Sequence, residues 1–127
     1  MKVVDMHCDT ISAIHLQRID GQNLSLMHND LHLSLEKMQK GDYLLQNFAI
    51  FTPLNMTDDA WQYAHDLIDT FYHEVNQYPD LIGVVKNYQD IQDNIQKQRM
   101  SALLTLEEGA VVRNQIQYLQ HYYDLGV

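Results

Sequence analysis

Two rhythms of apolar and polar positions run along this chain. Residues 2–8 begin as an apolar run and end polar, which predicts a buried strand whose carboxyl end is Asp5 to Asp9. Residues 11–33 are mixed, with Gly21 and Asn23 as turn signals. Ser34, Leu35, Met38 and Gly41 then describe a short helix with a cap at each end. Residues 43–51 are apolar and rich in strand formers, stopped by Thr52 and Pro53; they predict a second strand. Thr57 is the expected cap of the next helix, with Asp58 and Asp59 in its first turn, where the helix dipole favours anions. Trp61, Ala64, Ile68, Phe71 and Val75 recur every three or four residues, so one stripe of that helix packs inward until Tyr78 and Pro79.

Residues 82–85 are a short extended candidate, and Ile91 and Ile95 share one face of a polar helix over 88–98. Residues 102–106 predict a third buried strand, ending in Glu107, Glu108 and Gly109. Val112, Ile116, Leu119 and Tyr123 mark a last helix, stopped near Gly126. Strands alternating with helices argue for an α/β fold with parallel strands and helical crossovers. No internal repeat, low-complexity segment, linker or Gly-rich phosphate loop interrupts this order. The 127 residues suit one domain.

Charge narrows the set of partners. Eight Lys and Arg face 17 Asp and Glu, a formal net charge of −9. Nucleic-acid binding, which needs a basic surface to release counterions, is not expected. An anionic membrane surface would repel the chain, and no stretch approaches the ~20 apolar residues of a span. The apolar run after Lys2 stops at Asp5, too early for a secretory leader, so no membrane anchor is expected in this chain. The single cysteine, Cys8, cannot form an internal disulfide, which suits a reducing, cytoplasmic location.

The candidate chemistry gathers at two strand ends. Side chains on a strand alternate, so Asp5, His7 and Asp9 are expected on one face, with Met6 and Cys8 on the other. An imidazole and a carboxylate so spaced chelate a divalent ion, since both are zinc ligands. Glu107, at the end of the third strand, is expected to project into the same mouth; Glu108 points elsewhere if the strand persists that far. Asp5 is a candidate to orient the His7 ring. His15, His28, His32, His65, His73 and His121 are spread over loops and helices and read as surface or packing residues. Cys8 reads as a small packed side chain, and the tyrosines at 118–123 as packing.

Three segments together carry a family resemblance. The opening Val4-Asp5-Met6-His7-Cys8-Asp9-Thr10 is similar to the Asp-x-His-x-Asp opening of the membrane (renal) dipeptidases, peptidase family M19. The run His32 to Met38, followed by Gly41, Gln46, Phe48, Ala49 and Phe51, resembles that family's second strand and its lead-in. Residues 102–109 resemble its third strand. The family has one Glu followed by two glycines there; here Glu108 replaces the first glycine, so Glu107 is the matching position and Glu108 the alternative. The resemblance covers the whole chain in order.

It implies a metallo-dependent hydrolase built as a (β/α)₈ TIM barrel. Residues 1–127 would be the amino-terminal portion of that one domain, its first three or so βα units, against ~250 residues in a complete barrel. It implies a zinc-dependent dipeptidase with a binuclear zinc centre and a dipeptide substrate. By the match, His7 and Asp9 hold the first ion and Glu107 is a catalytic ligand bridging to the second. The family's remaining ligands are histidines on later strands, so these residues alone hold at most a partial site.

Two other readings stand beside it. Phosphoesterases of the polymerase-and-histidinol-phosphatase type also open with Asp-x-His on a barrel strand, usually as Asp-x-His-x-His-Thr; here Asp9 stands at the last histidine. The other is a non-catalytic fragment that self-associates into a homo-oligomer, because a part-barrel leaves strand edges and apolar faces uncovered.

Overall fold

The computed structural model describes residues 1–127. In chain order the elements are β1 (Val3–Asp5), α1 (Thr10–Ile19), α2 (Leu35–Lys40), β2 (Tyr43–Ile50), α3 (Ala60–Val75), β3 (Ile82–Val85), α4 (Tyr88–Gln96), β4 (Met100–Leu106) and α5 (Ile116–Asp124), with one 3₁₀ turn at Gly109–Val112. The four strands form one sheet in the order β1-β2-β4-β3, and every pair is parallel. Parallel neighbours need long crossovers, and the helices supply them. The expected α/β fold is therefore the one observed.

One sheet face carries the main core. Phe48 and Ile50 of β2 and Ala102 and Leu104 of β4 pack with Ile11 and Ile14 of α1 and with Ala64, Leu67, Ile68 and Phe71 of α3. The Phe48 and Phe71 rings sit 5.6 Å apart and tilted, within the range where aromatic pairs attract beyond simple burial. The intervening β2 residues Leu45, Asn47 and Ala49 are buried on the opposite face. Strand alternation thus separates a helix-covered face from the face that leads to the strand ends.

Several elements depart from their expected bounds. β1 is confined to Val3–Asp5 and is not buried: Val4 and Met6 are exposed at the sheet edge. α1 stood unmarked in the mixed stretch, because only Thr10, Ile11 and Ile14 bury fully and the apolar stripe is short. Asp59, not Thr57, caps α3: its side chain accepts from the Gln62 N–H, while the Thr57 hydroxyl accepts from Asp59 N–H one turn earlier. Residues 82–85 form a true strand, and β4 starts at Met100, so the sheet has a fourth strand. The last helix begins later than expected because Arg113 and Asn114 take left-handed φ values of 48° and 55° and break it from the 3₁₀ turn.

Loop 20–34 is tethered by a buried carboxylate. Glu74 of α3 is almost wholly buried, accepts from the Leu26 N–H at 2.6 Å and pairs with the Arg18 guanidinium. No helix is long and apolar enough to cross a membrane.

Candidate metal centre

The carboxyl ends of β1, β2 and β4 lie side by side. Asp5 pairs with Gln46 as the last residue of the β1–β2 ladder, and one further backbone bond runs from Ala49 N–H to the Cys8 carbonyl. On the other flank, Glu107 N–H donates to the Ile50 carbonyl at 3.1 Å. His7 and Glu107 are thereby delivered to one mouth from strands on either side of β2. Asp9 arrives differently. It lies beyond the strand as the residue preceding α1, so the turn into that helix, and not strand alternation, brings its carboxylate back towards His7.

The three side chains converge. His7 Nε2 is 3.3 Å from Asp9 Oδ2 and 3.7 Å from Glu107 Oε2, and the three ligand atoms all lie within 4.8 Å of one another. Ligands sharing one tetrahedral ion at about 2.0–2.2 Å stand ~3.4 Å apart. The two His7 spacings bracket that value and all three lie within 4.8 Å, so the donor set can close on a divalent cation. The chemistry fits as well: two carboxylates offset a double positive charge, and an imidazole adds a nitrogen donor. All three side chains are about half exposed, which leaves coordination positions open.

The neighbours of these residues do other things. Glu108 turns away, and its carboxylate caps the 3₁₀ turn by accepting from Ala110 N–H. Asp5 does not reach the His7 ring; its Oδ1 accepts the His7 backbone N–H at 3.1 Å. Cys8 packs against the core, and burial, aided by the charges of Asp5 and Asp9, pushes its thiol up to about 11. A neutral thiol is a poor ligand and a poor nucleophile.

A cavity of about 360 Å³ opens beside the cluster, between Asp5, His7 and Asp9 on one side and Leu31, His32 and Leu33 on the other. The other cavity, about 390 Å³, lies at the opposite ends of the strands near Lys2, Asp42 and Arg99, away from the three ligand groups. Most remaining histidines are engaged elsewhere. His15 bonds the Thr70 hydroxyl, and His28 pairs with Glu36. His65 and His121 touch through their Nε2 atoms at 2.7 Å, His121 stacked on Trp61 and His65 tilted against it. They clasp α5 to α3.

One part of the site went unread in the sequence. Asn47 of β2 is buried, its Nδ2 donates to the Met6 carbonyl at 2.9 Å, and its Oδ1 accepts from the Thr105 hydroxyl at 2.9 Å. A polar Asn within an apolar strand run was the available signal, since buried polar groups require partners.

Residues 1–127 match, over their whole length, the sequence pattern of the membrane dipeptidases, peptidase family M19. The chain belongs to this family. Solved structures resemble it in fold. The dipeptidase AC, a metallopeptidase of family M19, has 16% identity and a TM-score of 0.87, covering 100% of this chain and 41% of its own. A metallopeptidase from Rhodobacter sphaeroides, liganded with a phosphinate mimic of the dipeptide L-Ala-D-Ala, has 15% identity and a TM-score of 0.86, covering 100% of this chain and 44% of its own. The probable dipeptidase PvdM from Pseudomonas aeruginosa has 15% identity and a TM-score of 0.69 over 80% of this chain and 28% of its own. No curated protein matches the chain. The chain thus spans about two fifths of the length of the first two of these structures, and its sheet and βα units correspond to that part of their barrels. The family match also sets the phosphoesterase reading aside.

Proposed function

We propose that residues 1–127 are the amino-terminal portion of the barrel domain of a zinc-dependent dipeptidase, and that they supply one flank of its metal centre. The observation that carries this reading is the convergence of His7, Asp9 and Glu107 within 4.8 Å at the carboxyl ends of parallel strands, the end of a barrel where active sites sit. When bound, zinc supplies a water acidic enough to ionise near neutral pH and polarises the scissile carbonyl. The chain's own residues prepare for it. His7 offers Nε2, which as a neutral ligand requires its proton on Nδ1. Asp9 and Glu107 would each offer a carboxylate oxygen to the ion. The cavity beside them is the candidate space for part of a dipeptide.

The three groups make a partial site, because a binuclear centre needs more ligands than they provide. The 127 residues alone are therefore expected to bind zinc without appreciable dipeptide hydrolysis. The test is the metal content of zinc-loaded, dialysed protein, for wild type, His7→Ala, Glu107→Gln and Glu108→Gln. The reading predicts about one zinc per chain in wild type and Glu108→Gln and a loss of most of it in the other two. Equal zinc in wild type and His7→Ala would refute it.

Self-association is a second reading with its own observation. Val4 and Met6 are exposed along the open edge of β1, and Ile116, Leu119 and Tyr123 are exposed on one side of α5. Unpaired strand edges and apolar patches invite a second copy.

A further inference from the structure

We infer that Asn47, held by Thr105, is the positioning residue that sets the separation between His7 and Glu107; this rests on the metal-centre reading above. Asn47 lies on β2, between the two segments that carry those ligands. Its amide reaches both. Nδ2 donates to the carbonyl of Met6, the residue before His7, and Oδ1 accepts from Thr105, two residues before Glu107 and on the same strand face. The orientation of the amide is dictated by its partners: a carbonyl only accepts, so Nδ2 faces Met6, and the Thr105 hydroxyl is left to donate to Oδ1.

The location gives this bridge its purpose. The β1–β2 pairing ends at Asp5, and the next backbone bond between these segments comes only at Cys8. The Met6–His7 peptide falls in that gap. Side chains hold both of its polar atoms: Asn47 takes the carbonyl at 2.9 Å and Asp5 takes the N–H at 3.1 Å. The backbone that aims His7 is therefore fixed through Asn47 to the strand that aims Glu107. Asn47 is buried, so its two bonds are exposed to little competition from water.

The experiment is zinc titration by calorimetry of wild type, His7→Ala, Asn47→Leu, Thr105→Val, Thr105→Ser and the Asn47→Leu/Thr105→Val pair, each first confirmed folded by its urea unfolding transition. Partners one shell beyond a metal's ligands typically change affinity 10–100-fold. The inference predicts roughly 10-fold weaker zinc binding for Thr105→Val and near wild-type binding for Thr105→Ser, which keeps the hydroxyl. It predicts at least as large a loss for Asn47→Leu and no further loss in the pair, because Thr105 acts through Asn47. A purely structural role would lower the unfolding midpoint and leave zinc affinity unchanged. Unchanged affinity in Thr105→Val would overturn the inference even if Asn47→Leu failed to fold. Wild-type protein that binds no zinc, or binds it equally well as His7→Ala, would instead bring down the metal-centre reading and this inference with it.

Discussion

Neighbouring residues do different work here because backbone geometry aims them apart. Glu107 follows a strand and joins His7 and Asp9, whereas Glu108 caps the following turn. Cys8, between His7 and Asp9, is packed away, and burial pushes its thiol up to about 11, which leaves it unreactive at neutral pH. Because burial raises the folded value above the unfolded one, Cys8 favours folding fully below its unfolded pKa and loses that contribution as pH rises towards 11. Alkylation by iodoacetamide should therefore stay slow at pH 8 in folded protein and become rapid after unfolding in urea; rapid labelling of the folded state would contradict this placement. Glu74 offers a stability test. Glu74→Ala removes the partner of Arg18 and orphans the Leu26 N–H. A loss on the order of 3–5 kcal/mol is expected, read from the shift in urea midpoint.

At the scale of elements, strong periodicity was legible and weak periodicity was not. The α3 stripe and the β2 and β4 runs were plain, since each buries many apolar side chains against one core. α1 was hidden because it buries only Thr10, Ile11 and Ile14 fully. β1 was expected to run through His7, but its ladder lapses after Asp5. The convergence of His7, Asp9 and Glu107 was expected from the strand ends and the family resemblance, yet the turn that brings Asp9 to His7 and the Asn47 bridge depend on tertiary contacts. Turn strain yields a further prediction. Gln98 follows the end of α4 with φ of 56° and is exposed. A side chain in that region costs roughly 1–2 kcal/mol. Gln98→Gly should raise stability by about 1 kcal/mol, seen as a higher thermal midpoint; a lower midpoint would mean that the left-handed turn is not retained.

At the scale of the whole molecule, the sheet has two open edges, β1 and β3, and the His7, Asp9 and Glu107 group is open to solvent. The relatives that share this fold are more than twice as long. Light scattering during size exclusion should show a concentration-dependent dimer or larger species if the β1 edge pairs with a second copy, and Met6→Lys, which places a charge on that edge, should shift the population towards monomer. A monomer at all concentrations would remove the self-association reading and leave the metal centre untouched.

The function proposed for this chain requires that one cation be held by His7, Asp9 and Glu107 together. Zinc X-ray absorption on the loaded 127-residue chain tests it most directly. The expected result is a shell of nitrogen and oxygen at about 2.0–2.2 Å containing one imidazole, with no sulfur. A sulfur distance near 2.3 Å, a shell of several imidazoles, or a spectrum unchanged by His7→Ala would contradict it.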